Sequence, residues 1–196
     1  MARPSNTERR REEIVGGLPR VMAARGYCGA TIAQIAGEAG LPSGIVHYHF
    51  ENKKEILVAV LERLSRVIRE RYTRRVARAG VTESRGRVRA WIDAHVALGP
   101  DADARAMACW VAVGAEALRD PVVRREYEKV LIEDRETLEG LVRGALRAER
   151  RTTKAARAIA MSLLAAVQGA FQVGCAALAR SPRGPWRRFC GGWLTA

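Results

Sequence analysis

The side chains of this 196-residue chain best equipped for chemistry cluster in the stretch Thr31 to Phe50, TIAQIAGEAGLPSGIVHYHF, whose second half carries Ser43, His47, Tyr48 and His49. Hydroxyl, imidazole and phenol groups exchange hydrogen bonds with phosphates and base edges. As a catalytic set they fail. His47 and His49 are two apart on a helical pattern and cannot share a face. The chain has no H-x-x-x-H, no G-x-S-x-G and no glycine loop of the phosphate-cradling kind, and Glu51 and Glu55 read as solvated acids. Cys28, Cys109, Cys175 and Cys190 lie far apart, with neither C-x-x-C nor paired histidine spacing. The expectation is therefore free thiols, no metal and no cofactor. The residues predict a binding protein and no enzyme.

The elements that must position them follow from periodicity. Thr31 stands where an N-cap belongs, with Ile32, Ile35, Ala36 and Ala39 on one helical face behind it. Gly40 ends that helix, Leu41 and Pro42 make a turn, and Ser43 to Phe50 form a further helix with Val46 and Phe50 facing inward. A small residue at 36, a turn glycine four later and an apolar residue six after that describe a helix-turn-helix. Ahead of it, residues 5–25 are predicted as a helix with Ile14, Val15, Leu18, Val21 and Met22 on one face. Ser5 or Asn6 caps it, and Arg25-Gly26-Tyr27 closes it with a left-handed glycine. Pro19 should kink it unless its neighbours hold it straight. Arg3, Arg9, Arg10 and Arg11 make a basic N-terminal arm suited to phosphates or a minor groove, and equally to plain solvation.

Beyond the motif, residues 51–79 read as one long helix with Ile56, Val60, Leu64, Val67 and Ile68 on one side. Helices follow at 85–98, 102–119, 122–148 (with Asp120 as cap and Pro121 in the first turn) and from Thr152 or Thr153 to about 180. The tail SPRGPWRRFCGGWLTA admits a short docking helix around Trp186 to Cys190. The fold class expected is all-α.

Composition agrees with a globular helical protein: 48% hydrophobic and 28% charged residues. Thirty-four Lys and Arg against twenty-one Asp and Glu leave a formal charge of +13, which makes polyanions natural partners. The start MARPSNTERRREEI is charged where a signal peptide would be apolar. The apolar run from Ile159 to Leu178 is broken by Ser162, Gln168, Gly169, Gln172 and Gly174. No membrane association and a cytoplasmic location are expected.

With these residues in place, the block from Thr31 to Leu57 resembles the DNA-binding region of the TetR family of bacterial transcriptional regulators. The pattern T-x-x-x-I-A-x-x-A-G, a turn, G-x-x-x-Y-x-F and x-x-K-x-x-L is met by Thr31, Ile35, Ala36, Ala39, Gly40, Gly44, Tyr48, Phe50, Lys53 and Leu57, with a one-residue shift at the tyrosine and at the leucine. Within that family, Trp110 to Leu118 followed by Asp120-Pro121 is similar to the betaine-synthesis repressors. The chain departs from the pattern at Pro42, where a Ser or Thr cap is common, so that either the cap passes to Ser43 or the helix begins with Pro42 in its first turn, and at His47, where a tyrosine is common. Its recognition helix also has no Lys or Arg, so bidentate guanine readout is not open to it.

The resemblance implies a head, residues 1–51, that binds double-stranded DNA at a palindromic operator, and a body, residues 52–196, for ligand binding and dimerisation. Thr31 and Lys53 would meet phosphates, Tyr48 and His49 the backbone, and Ser43, Gly44 and His47 the base edges. A homodimer follows from the few base pairs one motif can read. Its interface would be a four-helix bundle of the 122–148 and 153–179 helices, with small residues at 160, 165, 169 and 176. Those residues also suit an intramolecular core. For the effector, the body supplies Trp91, His95, Met107, Trp110, Glu116, Tyr127, Gln168, Phe171 and Gln172. Aromatic rings beside an acid can cage a cation, while aromatics at helical spacing also serve simply as core. The expected protein is a repressor released from its operator by an apolar or cationic small molecule. The alternatives are an architectural DNA binder without effector, or a ligand-binding protein that has lost operator affinity.

Overall fold

The computed structural model describes residues 5–78, 80, 83–96 and 103–178, leaving aside the side chains of 104 and 175–178. Among these residues the chain forms eight helices and no strand: α1 (Asn6–Gly29), α2 (Ile32–Ala39), α3 (Ser43–His49), α4 (Lys53–Arg78), α5 (Ser84–Val96), α6 (Ala104–Ala117), α7 (Pro121–Ala148) and α8 (Ala156–Leu178). The all-α expectation holds. Residues 97–102, where the helices expected at 85–98 and 102–119 would end and begin, Arg3, and the tail from 179 with its expected docking helix lie outside the described residues.

Local chemistry explains most of the helix ends. Ser5 caps α1 through a reciprocal box, its hydroxyl accepting from the Glu8 amide at 3.1 Å while the Glu8 carboxylate accepts from the Ser5 amide at 2.8 Å. Thr31 and Gln34 repeat that arrangement at α2. Asp120 Oδ1 accepts from the Val122 and Val123 amides at 2.9 and 3.1 Å, which starts α7 with Pro121 in its first turn. Gly40, at φ 67° and ψ 32°, ends α2 in the left-handed conformation that glycine adopts without Cβ strain.

Pro19 lies within α1 on helical backbone, the outcome expected where its neighbours hold it, while three other expectations are corrected. The one non-helical residue inside α1 is Gly26, at φ 67° and ψ 171°. Buried Ile14 and Leu18 hold the proline-containing turn in place, and Gly26 adopts an extended mirror-image backbone, not a left-handed cap. Pro42 itself is the N-cap of α3 and offers no side-chain acceptor, so neither Ser43 nor a proline in the first turn caps that helix. Glu55 is not merely solvated: Asn52 Oδ1 accepts from its amide and its own carboxylate accepts from the Glu51 amide at 2.9 Å, a cap for α4. A turn at 153–155 precedes α8, with Thr152 Oγ1 accepting from the Lys154 amide.

The described chain separates into two compact units. One comprises the residues up to Ser65 together with Ala108–Glu128; the other comprises Arg66–Met107 and the residues from Lys129 onward. In the first unit, Ile14, Leu18, Ile35, Val46, Phe50, Ile56 and Leu57 are buried, as are Val113 and Val123. α1 packs on α2 and α2 on α3. The α1–α2 approach is close enough that a methyl group on Gly17 would sit 2.7 Å from the Ile35 carbonyl oxygen. In the second unit α5 packs on α8, with Trp91, Ala94, Leu138, Ala160, Leu164 and Phe171 buried.

Candidate functional site

The helix-turn-helix expected at 31–50 is present, and its two faces divide as the apolar pattern requires. Ile35, Ala36, Val46 and Phe50 are buried, while Ser43, Gly44, His47 and Tyr48 are all exposed, Tyr48 at 80%. Positions 43, 44, 47 and 48 are the i, i+1, i+4 and i+5 set that forms one stripe of a helix. His49 is half-buried, its ring edge-on to Tyr48 with centroids 5.1 Å apart. The outer stripe therefore presents one hydroxyl, one imidazole, one phenol and bare backbone. This set suits hydrogen bonds to phosphates and base edges, and contact with thymine methyls.

Thr31 is exposed at the start of α2. Its backbone amide, however, donates to Gln34 Oε1 at 3.0 Å, and its hydroxyl oxygen accepts from the Gln34 amide at 3.3 Å. The hydroxyl proton is what Thr31 has to offer a phosphate, whereas the amide is already used. Gln34 is a participant that the T-x-x-Q spacing signals and that site reasoning missed.

Lys53 differs more from its expected role. Its Nζ donates to the carbonyl oxygens of Tyr27 at 2.8 Å, Ala30 at 2.8 Å and Cys28 at 3.4 Å, and it lies 4.5 Å from the centroid of the Tyr27 ring. An ammonium has three protons to donate, so all are engaged within the protein. Lys53 ties the segment that ends α1 and delivers Thr31 to the first turn of α4. Burial and, next, the carboxylates of Glu116 and Asp120 push the Tyr27 phenol up to about 12, so it stays neutral beside that lysine.

Arg9, Arg10 and Arg11 of the basic arm have partners within the protein. Arg9 and Arg10 both reach Glu13 within α1, Arg10 at 2.9 Å. Arg11 donates to the His49 carbonyl at 3.1 Å and stacks 4.2 Å from the Phe50 ring centroid, so it braces the end of α3 and is no free arm.

The nine effector residues fall in both units. In the first, Trp110 and Tyr127 meet edge-to-face with centroids 5.8 Å apart, Gly114 leaving room for the phenol, and Glu116 is half-buried on the same helix. In the second, Trp91 and His95 are buried and stacked at 3.6 Å. Met107 and Gln168 are half-buried, Phe171 is buried and Gln172 is exposed. Asp134 stands 3.4 Å from His95 Nε2, an acid beside aromatics that the sequence reading left out. An open groove on α4, lined by Arg66, Arg69, Glu70, Thr73 and Arg74, is basic and lacks aromatic rings. No cluster of three potential metal ligands occurs among the described residues.

Residues 19–60 match the family of bacterial regulatory proteins described as tetR, and residues 84–194 match the C-terminal region of BetI-type transcriptional repressors. The HTH-type transcriptional regulator BetI of Stenotrophomonas maltophilia is 31% identical over 116 residues, 59% of this chain and 58% of that protein. Its counterpart in Paraburkholderia phytofirmans is 30% identical over 122 residues, 60% of each. The match thus spans well under two thirds of the length of these relatives. A candidate transcriptional regulator from Saccharomonospora viridis, solved in complex with choline, has a TM-score of 0.71 at 24% identity, covering 89% of this chain and 88% of that one. A transcriptional regulator from Rhodococcus sp. Rha1 has a TM-score of 0.68 at 25% identity, covering 86% and 85%. The fold is therefore shared across the head and the helical body.

Proposed function

Since the chain belongs to the TetR family, with a C-terminal region of the BetI type, we propose that it is a transcriptional repressor that binds a palindromic operator as a homodimer and leaves it when a small cation binds. One observation carries the reading: the exposed stripe of Ser43, Gly44, His47 and Tyr48, backed by buried Val46 and Phe50. A short helix with a packed inner face and a polar, uncharged outer face is built to enter a groove. Its bases are read by Ser43, Gly44 and His47, and its backbone is met by Tyr48, His49 and the Thr31 hydroxyl. Lys53 serves by holding the Thr31 segment in register. With no arginine in α3, sequence discrimination leans on DNA shape and on dimer symmetry.

Functionally the division falls at residue 52, with 1–51 reading DNA and 52–196 serving ligand binding and dimerisation. The second copy would cover the apolar surface left open on α7 and α8. Ile132 is 49% exposed, Met161 48% and Val173 58%, with Ala165 and Gly169 also open. The segment Ala156–Gly174 is long and apolar enough to cross a membrane, but its small and polar interruptions suit a helix–helix seam in a cytoplasmic dimer. The choline bound by the S. viridis regulator and the BetI-type body together favour choline or a related quaternary ammonium as effector, with aromatic rings and an acid to receive it.

Fluorescence anisotropy with a labelled duplex from the gene's own upstream region tests the assignment. Saturable binding with two protomers, or a multiple of two, per duplex and at least about a hundredfold preference over a shuffled duplex is expected. Equal affinity for both would leave an architectural DNA binder, the reading that an arginine-free α3 and an occupied Lys53 would then favour.

A further inference from the structure

Resting on the reading that α3 enters the major groove of an operator, we propose that Ile45 is a specificity residue that reads the methyl group of one thymine in each half-site, and that Gly44 is the clearance that lets it come within reach. At about 100° per residue, the direction opposite the buried pair Val46 and Phe50 falls on Tyr48. Gly44 lies about 40° to one side of it and Ile45 about 60° to the other, while Ser43 and His47 stand further round on the Gly44 side. Ile45 is 38% exposed and Tyr48 80%. Among the described residues of α1–α3 they are the only large apolar side chains that are exposed, and at three residues apart they are neighbours on one face.

Nothing inside the protein requires glycine at position 44. Its backbone is helical and has no positive φ, and a methyl group added there would meet nothing within 4 Å. Alanine would fit and would favour the helix. Gly17, by contrast, is held to glycine by the Ile35 carbonyl oxygen, 2.7 Å from where its methyl would stand, and Gly40 by its φ of 67°. What Gly44 keeps free is the space in front of α3. A base-pair edge can then approach the helix backbone closely, which brings the side chain next to Gly44 into van der Waals contact with it.

The chemistry of the groove picks the partner. An isoleucine side chain neither donates nor accepts a hydrogen bond, so it gains only by covering apolar surface. The base edges in the major groove present carbonyl oxygens, ring nitrogens and amino groups, and one apolar group, the thymine methyl. Set against a cytosine amino group or a guanine oxygen, the same side chain would strip water from a polar atom and return no bond. Ile45 thus favours T·A at its position and disfavours C·G. Its own amide donates to the Pro42 carbonyl at 3.0 Å, so the side chain alone does the reading. Ser43, His47 and Tyr48 can each donate and accept, so each tolerates more than one base edge. On a helix without Lys or Arg, the aliphatic residue supplies the stricter choice.

Uracil differs from thymine only in lacking that methyl. The test replaces each thymine in turn by uracil in the shortest upstream duplex that retains full affinity, and follows binding of the full-length protein by anisotropy. At one position in each half-site the wild type should lose about fourfold in affinity, the return from burying one methyl group, and about fifteenfold when both half-sites are changed. Replacing T·A by C·G at that position should cost more, and methylating that cytosine at C5 should restore part of the loss. Ile45→Ala, with its melting temperature measured alongside, should bind the thymine and uracil duplexes within about twofold of each other. Gly44→Ala should melt at or above the wild-type temperature yet bind the operator about tenfold more weakly. A scan in which no uracil lowers wild-type affinity, a uracil penalty that survives in Ile45→Ala, or a Gly44→Ala that binds as tightly as wild type overturns the proposal while leaving the operator reading in place. Equal affinity for the upstream duplex and a shuffled one overturns the operator reading and the proposal with it.

Discussion

The ammonium of Lys54, in the first turn of α4, pairs with Asp120 Oδ2, while Oδ1 of the same carboxylate accepts from the first amides of α7. One side chain both starts α7 and ties it to the helix that follows the helix-turn-helix. Arg124 completes the corner by donating to the Ala117 and Leu118 carbonyls, each at 2.9 Å, at the end of α6. The α6–α7 corner is therefore part of the same compact unit as the head.

Acid should open that tie. The hydrogen bond from Lys54 is the main reason the Asp120 carboxyl sits below its ordinary value of 3.8; partial burial opposes the shift and the two amides reinforce it. The folded state thus binds this proton less readily than the unfolded state. The stabilisation is present above the ordinary value and is lost as pH falls through the depressed one. Asp120→Asn, which keeps a capping oxygen, should melt below wild type at neutral pH, and the gap should close between about pH 5 and pH 2. A gap in Tm constant over that range, measured by scanning calorimetry, would show that the charge contributes nothing.

Lys53 separates clamp from phosphate contact. Replacing it by Met leaves three carbonyls without their charged donor and should cost about 1.5–3 kcal/mol of stability. Operator affinity should drop with it, because the Thr31 segment loosens. As the ammonium is engaged internally, the slope of log affinity against log salt should stay as in wild type. A slope shallower by about one unit would mean that Lys53 neutralises a phosphate in the complex.

Tyr27 predicts the alkaline limb. Its phenol, pushed up to about 12 chiefly by burial, favours the folded state below its ordinary value of about 10, and that contribution is lost as pH rises through about 12. Ultraviolet titration of wild type against Tyr27→Phe should reveal one late ionisation near 12, accompanied by loss of helical signal. A difference spectrum completed by about pH 10.5 would contradict the buried placement.

Gly17 provides a test of sign. Replacing a helical glycine by alanine ordinarily stabilises by about 1 kcal/mol. Here the added methyl would stand 2.7 Å from the Ile35 carbonyl oxygen, so Gly17→Ala should destabilise the head and pry α1 from α2. Urea unfolding that shows the variant as stable as wild type or more so would refute that packing.

These cases also show which features a sequence reveals. Three helix starts were legible because their chemistry lies within four residues: Ser5 with Glu8, Thr31 with Gln34, Asp120 with Val122 and Val123. The inner residues Ile35, Ala36, Val46 and Phe50 were legible because helical period alone separates them from Ser43, His47 and Tyr48. The partners of Lys53 lie 23–26 residues back along the chain, that of Arg11 lies 38 residues ahead, and His95 meets Asp134 on another helix. No period or motif encodes such pairings, because tertiary packing decides them. Hence cations that looked available for DNA turn out to be braces. The nine effector candidates rest on residue type alone, which does not reveal that Trp91 stacks on His95 while Trp110 meets Tyr127.

The central claim is a ligand-released repressor, and it is tested most directly by titrating choline into a preformed complex of the protein with its own upstream duplex while following anisotropy. Complete, saturable release is expected at a choline concentration that leaves a DNA-bound control repressor untouched. A duplex that stays bound at saturating choline, with the protein otherwise specific for it, would contradict a choline-released repressor.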